Sequence, residues 1–457
     1  MIQTRIKLDI PIKPSEMLDI LACQKLKPTQ GEIHYISTDS RECLNGDLFI
    51  SLVESPEKAQ AHIREASSKG AITLGSGGDI DVIDAKAALL GIANYYKSTL
   101  PRLKYTIAIT GSVGKTTTKE FLGEIVRATY KTHVSSGNKN NLIGLPLTIL
   151  SAPVDTEILV LECGMNHEGE IARLSHCARP DVAVITAVGS AHIGNLGSRE
   201  AIAKAKCEIT AGMPHGGPVI CDVDEDLLAS LKNRLTFSSI NPMADCSVST
   251  LCVANGEFVL RLPGTKPSAI TLSFNAPHLI HNLAAATAAA YAIGMTSDEI
   301  SAGAIRIDAN HMRHRILSCN GYTILDDAYN ASLESIKAAF AQLKSLNAAR
   351  YAAVIGDVLE LGEFSYDIHR QIGAIASSKG IEKLFLVGEY SEHIKRGAIS
   401  EGMNPDDIIL LPYADNINKL ASTIRANLQH GDALLIKASH ACGLWRLADL
   451  LTGGDDD

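Results

Sequence analysis

This sequence predicts a mixed α/β protein of three units: a small N-terminal α/β unit, a central doubly wound parallel sheet, and a C-terminal Rossmann-like unit. Three observations carry that reading. A strand, a glycine turn and a helix follow one another in Tyr105–Glu120, YTIAITGSVGKTTTKE. Short apolar runs alternate with helical stretches through the middle of the chain. The same alternation starts afresh near residue 314. The expected boundaries are 1–83, 84–313 and 314–457.

The first unit mixes short strand-like runs, among them Asp47–Leu52, with a helix over His62–Lys69. It ends in a loose stretch, Gly75-Ser76-Gly77-Gly78.

The second unit opens its sheet with the buried run Ile107-Ala108-Ile109. The turn Gly111-Ser112-Val113-Gly114 follows, and Lys115-Thr116-Thr117 begins a helix. This is a P-loop of the ATPase type. Backbone N–H groups freed by glycine close around phosphate oxygens, and the helix N-terminus adds positive potential. Lys115 can reach the β- and γ-phosphates, and Thr116 can ligate Mg²⁺. The loop is a short variant, G-x-x-G-K-T-T, because the first glycine of the common spacing falls on Ile109.

Further strands follow in order. Ile158–Leu161 ends in Glu162, Val182–Thr186 leads to Gly189 and His192, and Pro218–Cys221 leads to Asp222 and Asp224. Ligands of such sheets sit at the carboxyl ends of the strands, so Glu162 and His192 share the rim with the phosphate loop. With Thr116 they offer oxygen and imidazole ligands. Mg²⁺ prefers oxygen, so the histidine suggests a second metal position. By position alone, Glu162 also reads as a strand-end charge and His192 as a loop histidine. Lys206 lies in the helix Arg199–Thr210 among other charges and by itself reads as a solvated face. The loop Ser136–Asn141 carries three asparagines, Asn138, Asn140 and Asn141, where the strand after the phosphate-loop helix ends, a place for substrate contact. Two alternating runs over Leu251–Leu262 flank Asn255-Gly256 and predict a small antiparallel part.

In the third unit the strands are Tyr322–Asp326, Ala352–Gly356, Lys383–Gly388 and Ala433–Lys437. Between the first two, Ile336, Ala339, Phe340, Leu343 and Leu346 have helical spacing. Nucleotide on one rim and polar residues on the next suggest a cleft that closes between units.

Composition narrows the function. Of 457 residues, 46% are hydrophobic and 20% charged, so the core is ample. A net charge of −9 argues against non-specific nucleic-acid binding and a basic membrane face. Leu283–Gly294 is too short to span a bilayer. Arg5 and Lys7 precede no apolar core, so no signal peptide is expected. Ten cysteines without a C-x-x-C pair read as reduced, cytosolic thiols.

The ordered motifs resemble the Mur ligases, ATP-dependent enzymes that extend the peptidoglycan precursor peptide. Within them the chain is most similar to the branch that adds D-alanyl-D-alanine. Thr38-Asp39-Ser40-Arg41 with Gly46-Asp47-Leu48-Phe49 resembles the uridine-nucleotide unit, and TGSVGKTTTKE the ATP loop. Gly137–Asn141 with Gly144–Leu147, and Glu162–Ile171, resemble stretches of that branch. So do Asp327-Ala328-Tyr329-Asn330-Ala331-Ser332 and Gly356–Gly362 with His369.

The resemblance implies particular roles. Gly111, Ser112, Val113, Gly114, Lys115, Thr116 and Thr117 would bind ATP phosphates, with His278, Asn282, Arg313 and Asp327 around the nucleotide. Arg313, at the passage into the last unit, would contact the γ-phosphate. Thr116, Glu162 and His192 would hold Mg²⁺, and Lys206 would join them as a carbamate. Catalysis would rest on Lys115, Lys206, His192 and Arg313. Substrate contacts would come from Ser40, Arg41, Asn138, Asn140, Asn141, Asn166, His167, Tyr329 and Asn330. The implied partners are UDP-N-acetylmuramoyl-tripeptide and D-alanyl-D-alanine, handled by a cytoplasmic monomer through an acyl phosphate. The chain departs from the family at Ala276, Asp222-Val223-Asp224, Cys207, Leu333 and Lys437-Ala438-Ser439-His440, where K-G-S-R is usual. Three rivals are a sister ligase adding one amino acid, a P-loop switch or transport ATPase, and a non-catalytic relative. The D-N-P-R and D-D-P-R strings of sister ligases, and the N-K-x-D of GTPases, are absent.

Overall fold

The computed structural model describes residues 4–21, 25–26, 31–214, 216–252, 256–272, 279–307, 315–411 and 417–453. Their strands form three sheets. The first holds β1 (Arg5–Ile12), β2 (Lys25–Leu26), β3 (Ile33–Ser37), β4 (Leu48–Ile50), β5 (Ile72–Leu74) and β6 (Ile80–Asp81), in the order β1-β3-β4-β5-β6-β2. The stretch Gly75–Gly78, expected as a loose end, is the turn between β5 and β6. A Thr73–Asp79 side-chain hydrogen bond of 2.9 Å closes it. The helix expected at His62–Lys69 runs from Pro56 to Ser68. Its start is signalled by Ser55 before Pro56, whose fixed φ suits a first helical turn and whose missing N–H would be unpaired there anyway.

The second sheet holds β7 (Tyr105–Thr110), β8 (Thr132–Val134), β9 (Ile158–Glu162), β10 (Val182–Ile185), β11 (Val219–Asp222), β12 (Arg234–Ser238), β13 (Cys246–Cys252), β14 (Glu257–Arg261) and β15 (Ser268–Thr271). Their order is β15-β14-β13-β12-β11-β10-β7-β9-β8. From β8 to β13 every pairing is parallel, and β13, β14 and β15 are antiparallel, matching the expected small hairpin part. Asn255 lies outside the described residues.

The apolar runs are continuous because both faces of this sheet are covered. Side chains alternate between faces along a strand. Ile107, Ile109, Ile158, Val160, Val182 and Val184 therefore pack with Phe121, Leu122 and Ile125 of the helix Lys115–Arg127. Ala108, Leu159, Leu161, Ala183 and Ile185 enter the other core.

The third sheet holds β16 (Arg315–Cys319), β17 (Tyr322–Asp326), β18 (Arg350–Gly356), β19 (Lys383–Val387), β20 (Ile408–Leu411) and β21 (Asp432–Lys437), ordered β16-β17-β21-β18-β19-β20. Only the β16–β17 pairing is antiparallel. The helix Leu333–Ser345 buries Ile336, Ala339, Phe340 and Leu343, the face its spacing predicted.

The first two sheets are tied by the helix Ala85–Thr99, capped by Asp84 accepting from the Ala87 N–H. Tyr96, fully buried, donates its hydroxyl to the Ala152 carbonyl at 3.0 Å and accepts from the Asp9 N–H at 3.3 Å. Removing the oxygen strands a buried carbonyl and a backbone N–H. Tyr96→Phe is expected to lower unfolding stability by about 1–2 kcal/mol. Urea titration checks this; an unchanged midpoint contradicts it.

Candidate active site

Strands β7, β9 and β10 run parallel, so they deliver Thr110, Glu162 and Ile185 to one rim. After Thr110 the chain turns through Gly111 (φ +151°) and Gly114 (φ +84°), and Gly114 caps the helix Lys115–Arg127 from a left-handed conformation. Neither position tolerates a side chain. A Cβ on Gly111 would stand 1.9 Å from Thr186 Oγ1, and one on Gly114 2.2 Å from Asn282 Nδ2. Those same neighbours fix the loop. Thr186 Oγ1 donates to the Val113 carbonyl at 2.6 Å. Asn282 Nδ2 lies 3.1 Å from Thr118 Oγ1 and 3.3 Å from the Gly114 carbonyl. Ser112 Oγ accepts from the Gly189 N–H at 2.9 Å. Lys115 Nζ donates to the Gly111 carbonyl at 2.6 Å, folded back over its own loop. The result is a preformed anion cradle.

Glu162 is the centre of the wall beside that cradle. It is 2% exposed, and each oxygen is held. Oε2 accepts from Thr116 Oγ1 at 2.9 Å, and Oε1 accepts from Asn140 Nδ2 at 2.9 Å. Lys119, with no exposed surface, lies 3.5 Å from Oε2 and donates to the Gly137 carbonyl at 3.0 Å. A buried carboxylate needs such partners to stay ionised. Among the described residues, Thr110 Oγ1, buried in the same wall, has no hydrogen-bond partner. Among the described residues no cluster of three or more His, Cys, Asp or Glu is placed to hold a metal. One carboxylate with the Thr116 hydroxyl 2.9 Å away is instead a donor set that fits Mg²⁺ brought in with a polyphosphate.

Lys206 also lines this cleft. It is 1% exposed, and among the described residues no acidic side chain pairs with it. Burial pushes its amine well below the usual lysine range, and like charge on Lys115 adds to the effect. His192 lines the cleft from a left-handed backbone (φ +65°), and its Nδ1 meets Glu360 Oε2 at 2.5 Å. The helix predicted over Arg199–Thr210 ends at Cys207 and continues as a 3₁₀ turn.

The third unit supplies the facing wall, enclosing a cleft of about 540 Å³. Asp327, Tyr329 and Asn330 line it. Asp327 Oδ2 receives Lys437 Nζ at 2.6 Å, and the same amine donates to the Asn330 carbonyl at 2.9 Å. Both partners are buried. Asn138, Asn140, Asn141 and Asn166 also line the cleft. Asn141 Oδ1 is committed to the N–H groups of Ile143 and Gly144. Ser40, Arg41 and His167 do not line it. Ser40 bonds Glu65, and Arg41 pairs with Asp39 in the first unit. His278 and Arg313 lie outside the described residues.

Lys119 and Lys437 escape sequence reasoning, because a lysine in a helix or at a strand end reads as solvated. The signal for Lys437 was its place at the end of an apolar strand. His369, by contrast, is structural. It is fully buried, Nδ1 donates to the Ser365 carbonyl and Nε2 accepts from the Val358 N–H, and burial holds its pKa below the ordinary histidine value. Asp357 caps the N–H groups of Glu389 and Tyr390.

Residues 109–290 match the Mur ligase middle domain, and residues 312–440 match the Mur ligase glutamate ligase domain. The UDP-N-acetylmuramoyl-tripeptide–D-alanyl-D-alanine ligase of Bacillus subtilis is 32% identical over 428 residues, 91% of this chain and 92% of that protein. A crystal structure of MurF from Acinetobacter baumannii superposes with a TM-score of 0.85 at 27% identity, covering 98% of this chain and 100% of that one. MurF of Thermotoga maritima in complex with ADP superposes with a TM-score of 0.78 at 27% identity, over 91% and 96% of the two chains.

Removing one member of a buried ion pair strands the other. Lys437→Met is expected to cost about 3–5 kcal/mol of stability, and the added change Asp327→Asn to recover part of it. Chemical denaturation of the single and double variants measures both; equal loss in the two contradicts the pairing.

Proposed function

The chain belongs to the Mur ligase family, and from that premise we propose that it is the ATP-dependent ligase joining D-alanyl-D-alanine to UDP-N-acetylmuramoyl-tripeptide, a step of peptidoglycan precursor synthesis. The observation that carries the reading is the phosphate loop with Thr116 held 2.9 Å from Glu162, in one cleft with Asp327, Tyr329 and Asn330. The third sheet begins at Arg315 and the first ends at Asp81, which supports dividing the chain at 83 and 313.

The reaction has two steps. A tripeptide carboxylate oxygen attacks the γ-phosphorus of ATP, the bond to the bridging oxygen breaks, and ADP leaves. The amine of the dipeptide, as free base, then attacks the acyl carbon. The carbon–oxygen bond breaks, phosphate departs, and the nitrogen loses its remaining extra proton. Phosphorylation thus replaces oxide, a poor leaving group, with phosphate.

The residues divide this work. Gly111–Thr117 bind the phosphates through backbone N–H groups. Lys115 exchanges the Gly111 carbonyl for β- and γ-oxygens, putting its charge where negative charge develops. Thr116 and Glu162 would hold Mg²⁺, with His192 toward a second position. Bound Mg²⁺ supplies charge neutralisation to the transferring group. Arg313 would add a further cation at the γ-phosphate, and Asp327 and Asn282 would meet the nucleoside side. Tyr329 and Asn330 would position the dipeptide. Ser40 and Arg41 would serve the uridine end, and Asn138, Asn140, Asn141, Asn166 and His167 the muramoyl peptide. Burial shifts Lys206 toward the neutral amine, the form that would add CO₂. A nitrogen–carbon bond forms, a proton leaves, and the amine becomes an anion facing the metal positions. The same proposal has the enzyme act as a cytoplasmic monomer.

Phosphate release is expected with ATP, Mg²⁺ and the tripeptide nucleotide only when D-alanyl-D-alanine is added, and not with single amino acids. Release without any amine, or with one amino acid alone, overturns the reading. Lys115→Ala is expected to lower kcat/KM about a hundredfold or more. With ¹³C-bicarbonate, a carbamate carbonyl resonance is expected that Lys206→Ala lacks; identical spectra overturn the modification.

A further inference from the structure

The third unit touches the segment after β10 through two carboxylates. Glu360 meets His192, as above. The second is Glu334, in the first turn of the helix Leu333–Ser345. Its Oε1 accepts from the Ser190 N–H at 2.9 Å, and its Oε2 from Ser190 Oγ at 3.1 Å. Ser190 is 7% exposed, so both bonds are sheltered. The preceding residue, a glycine, leaves the room this contact occupies. A Cβ on Gly189 would stand 2.6 Å from the Glu334 carboxyl carbon.

Gly189 turns the opposite way with its N–H, which donates to Ser112 Oγ at 2.9 Å inside the phosphate loop. The Ser112 N–H in turn donates to the Ala187 carbonyl at 2.9 Å. Two adjacent residues, Gly189 and Ser190, are therefore held from both sides, by the phosphate loop and by the third unit. Glu334 itself does not line the cleft.

We propose that Glu334 is a positioning residue that couples the seating of the third unit to the shape of the phosphate loop, acting through Ser190, Gly189 and Ser112. With Glu334 in place, Ser190 is pinned, the Gly189 N–H points at Ser112 Oγ, and the loop keeps its cradle. With the third unit withdrawn, Ser112 loses a partner whose orientation depended on that contact. Nucleotide affinity then follows the position of the third unit through a side chain, Glu334, that does not itself line the cleft. The inference rests on the reading of Gly111–Thr117 as the phosphate site.

The test is a double-mutant cycle on ATP affinity in the full chain, by isothermal titration, with Glu334→Gln, Ser112→Ala and the pair. Glu334→Gln is expected to weaken ATP about tenfold, the effect of losing a charge-assisted contact. The pair is expected to be no weaker than the worse single variant. Multiplying losses, or wild-type affinity in Glu334→Gln, overturns the proposal. Ser190→Ala, which removes only the hydroxyl bond, is a milder second probe. It is expected to weaken ATP in the wild-type background and to have no further effect on Glu334→Gln; equal effects in both backgrounds overturn the coupling. Lys115→Ala separates the two readings. If it binds ATP like wild type, the phosphate-site reading fails; if it does not and Glu334→Gln does, only the coupling fails.

Discussion

The carboxylate of Glu162 is the interaction on which the rest of the site depends. It lies at the tip of a fully buried strand, where an unpaired charge would be expelled or neutralised. Thr116, Asn140 and Lys119 hold it from three directions. The three ties come from two segments. Thr116 and Lys119 belong to the phosphate-loop helix, Asn140 to the asparagine loop, and Lys119 reaches that loop again through the Gly137 carbonyl. A negative charge thus ties the phosphate-loop helix to the asparagine loop. Its position next to the cradle also bears on how an acidic protein would bind the polyanion that the proposed function requires. The cations there are few and placed, Lys115 on the loop and Lys119 at the carboxylate, and under the proposed function Thr116 and Glu162 would hold a Mg²⁺ that offsets the like charges.

The same economy governs the contact between the second and third units. His192 and Glu360 both carry positive φ, a conformation that non-glycine residues adopt at a cost. They face each other across the cleft rim, and the Gly194 N–H donates to the Glu360 carbonyl. Gly194 and Gly362 approach so closely that a side chain on either would collide with the opposite backbone. The strain sits where two units meet, and the surrounding sheets hold it there. Such a seam would suit the water exclusion that the proposed acyl phosphate requires.

Much of this was legible in the chain. The phosphate loop could be read because its chemistry is local: a strand, two glycines, a lysine and a threonine within a dozen residues. The central strands could be read because both faces are buried, which makes their sequences continuously apolar. What stayed hidden is long-range. Lys437 finds Asp327 across 110 residues, Glu334 finds Ser190 across 144, and Glu360 finds His192 across 168. No local pattern distinguishes these side chains from solvated ones. The short helix start at Pro56 was missed because its apolar face is narrow, with Ala59, Ile63 and Ala66 alone buried. Asn282, expected to contact nucleotide, braces the phosphate loop, a role that only the fold displays.

The central claim is that Glu162 receives the metal of a metal–nucleotide seated on the phosphate loop. The most direct measurement is Mn²⁺ electron paramagnetic resonance with ATP on the wild-type chain and Glu162→Gln. The account predicts that the substitution weakens binding of Mn²⁺–ATP at least about tenfold while metal-free ATP binds much as before. If Glu162→Gln binds Mn²⁺–ATP as the wild type does, the metal lies elsewhere and the account is contradicted.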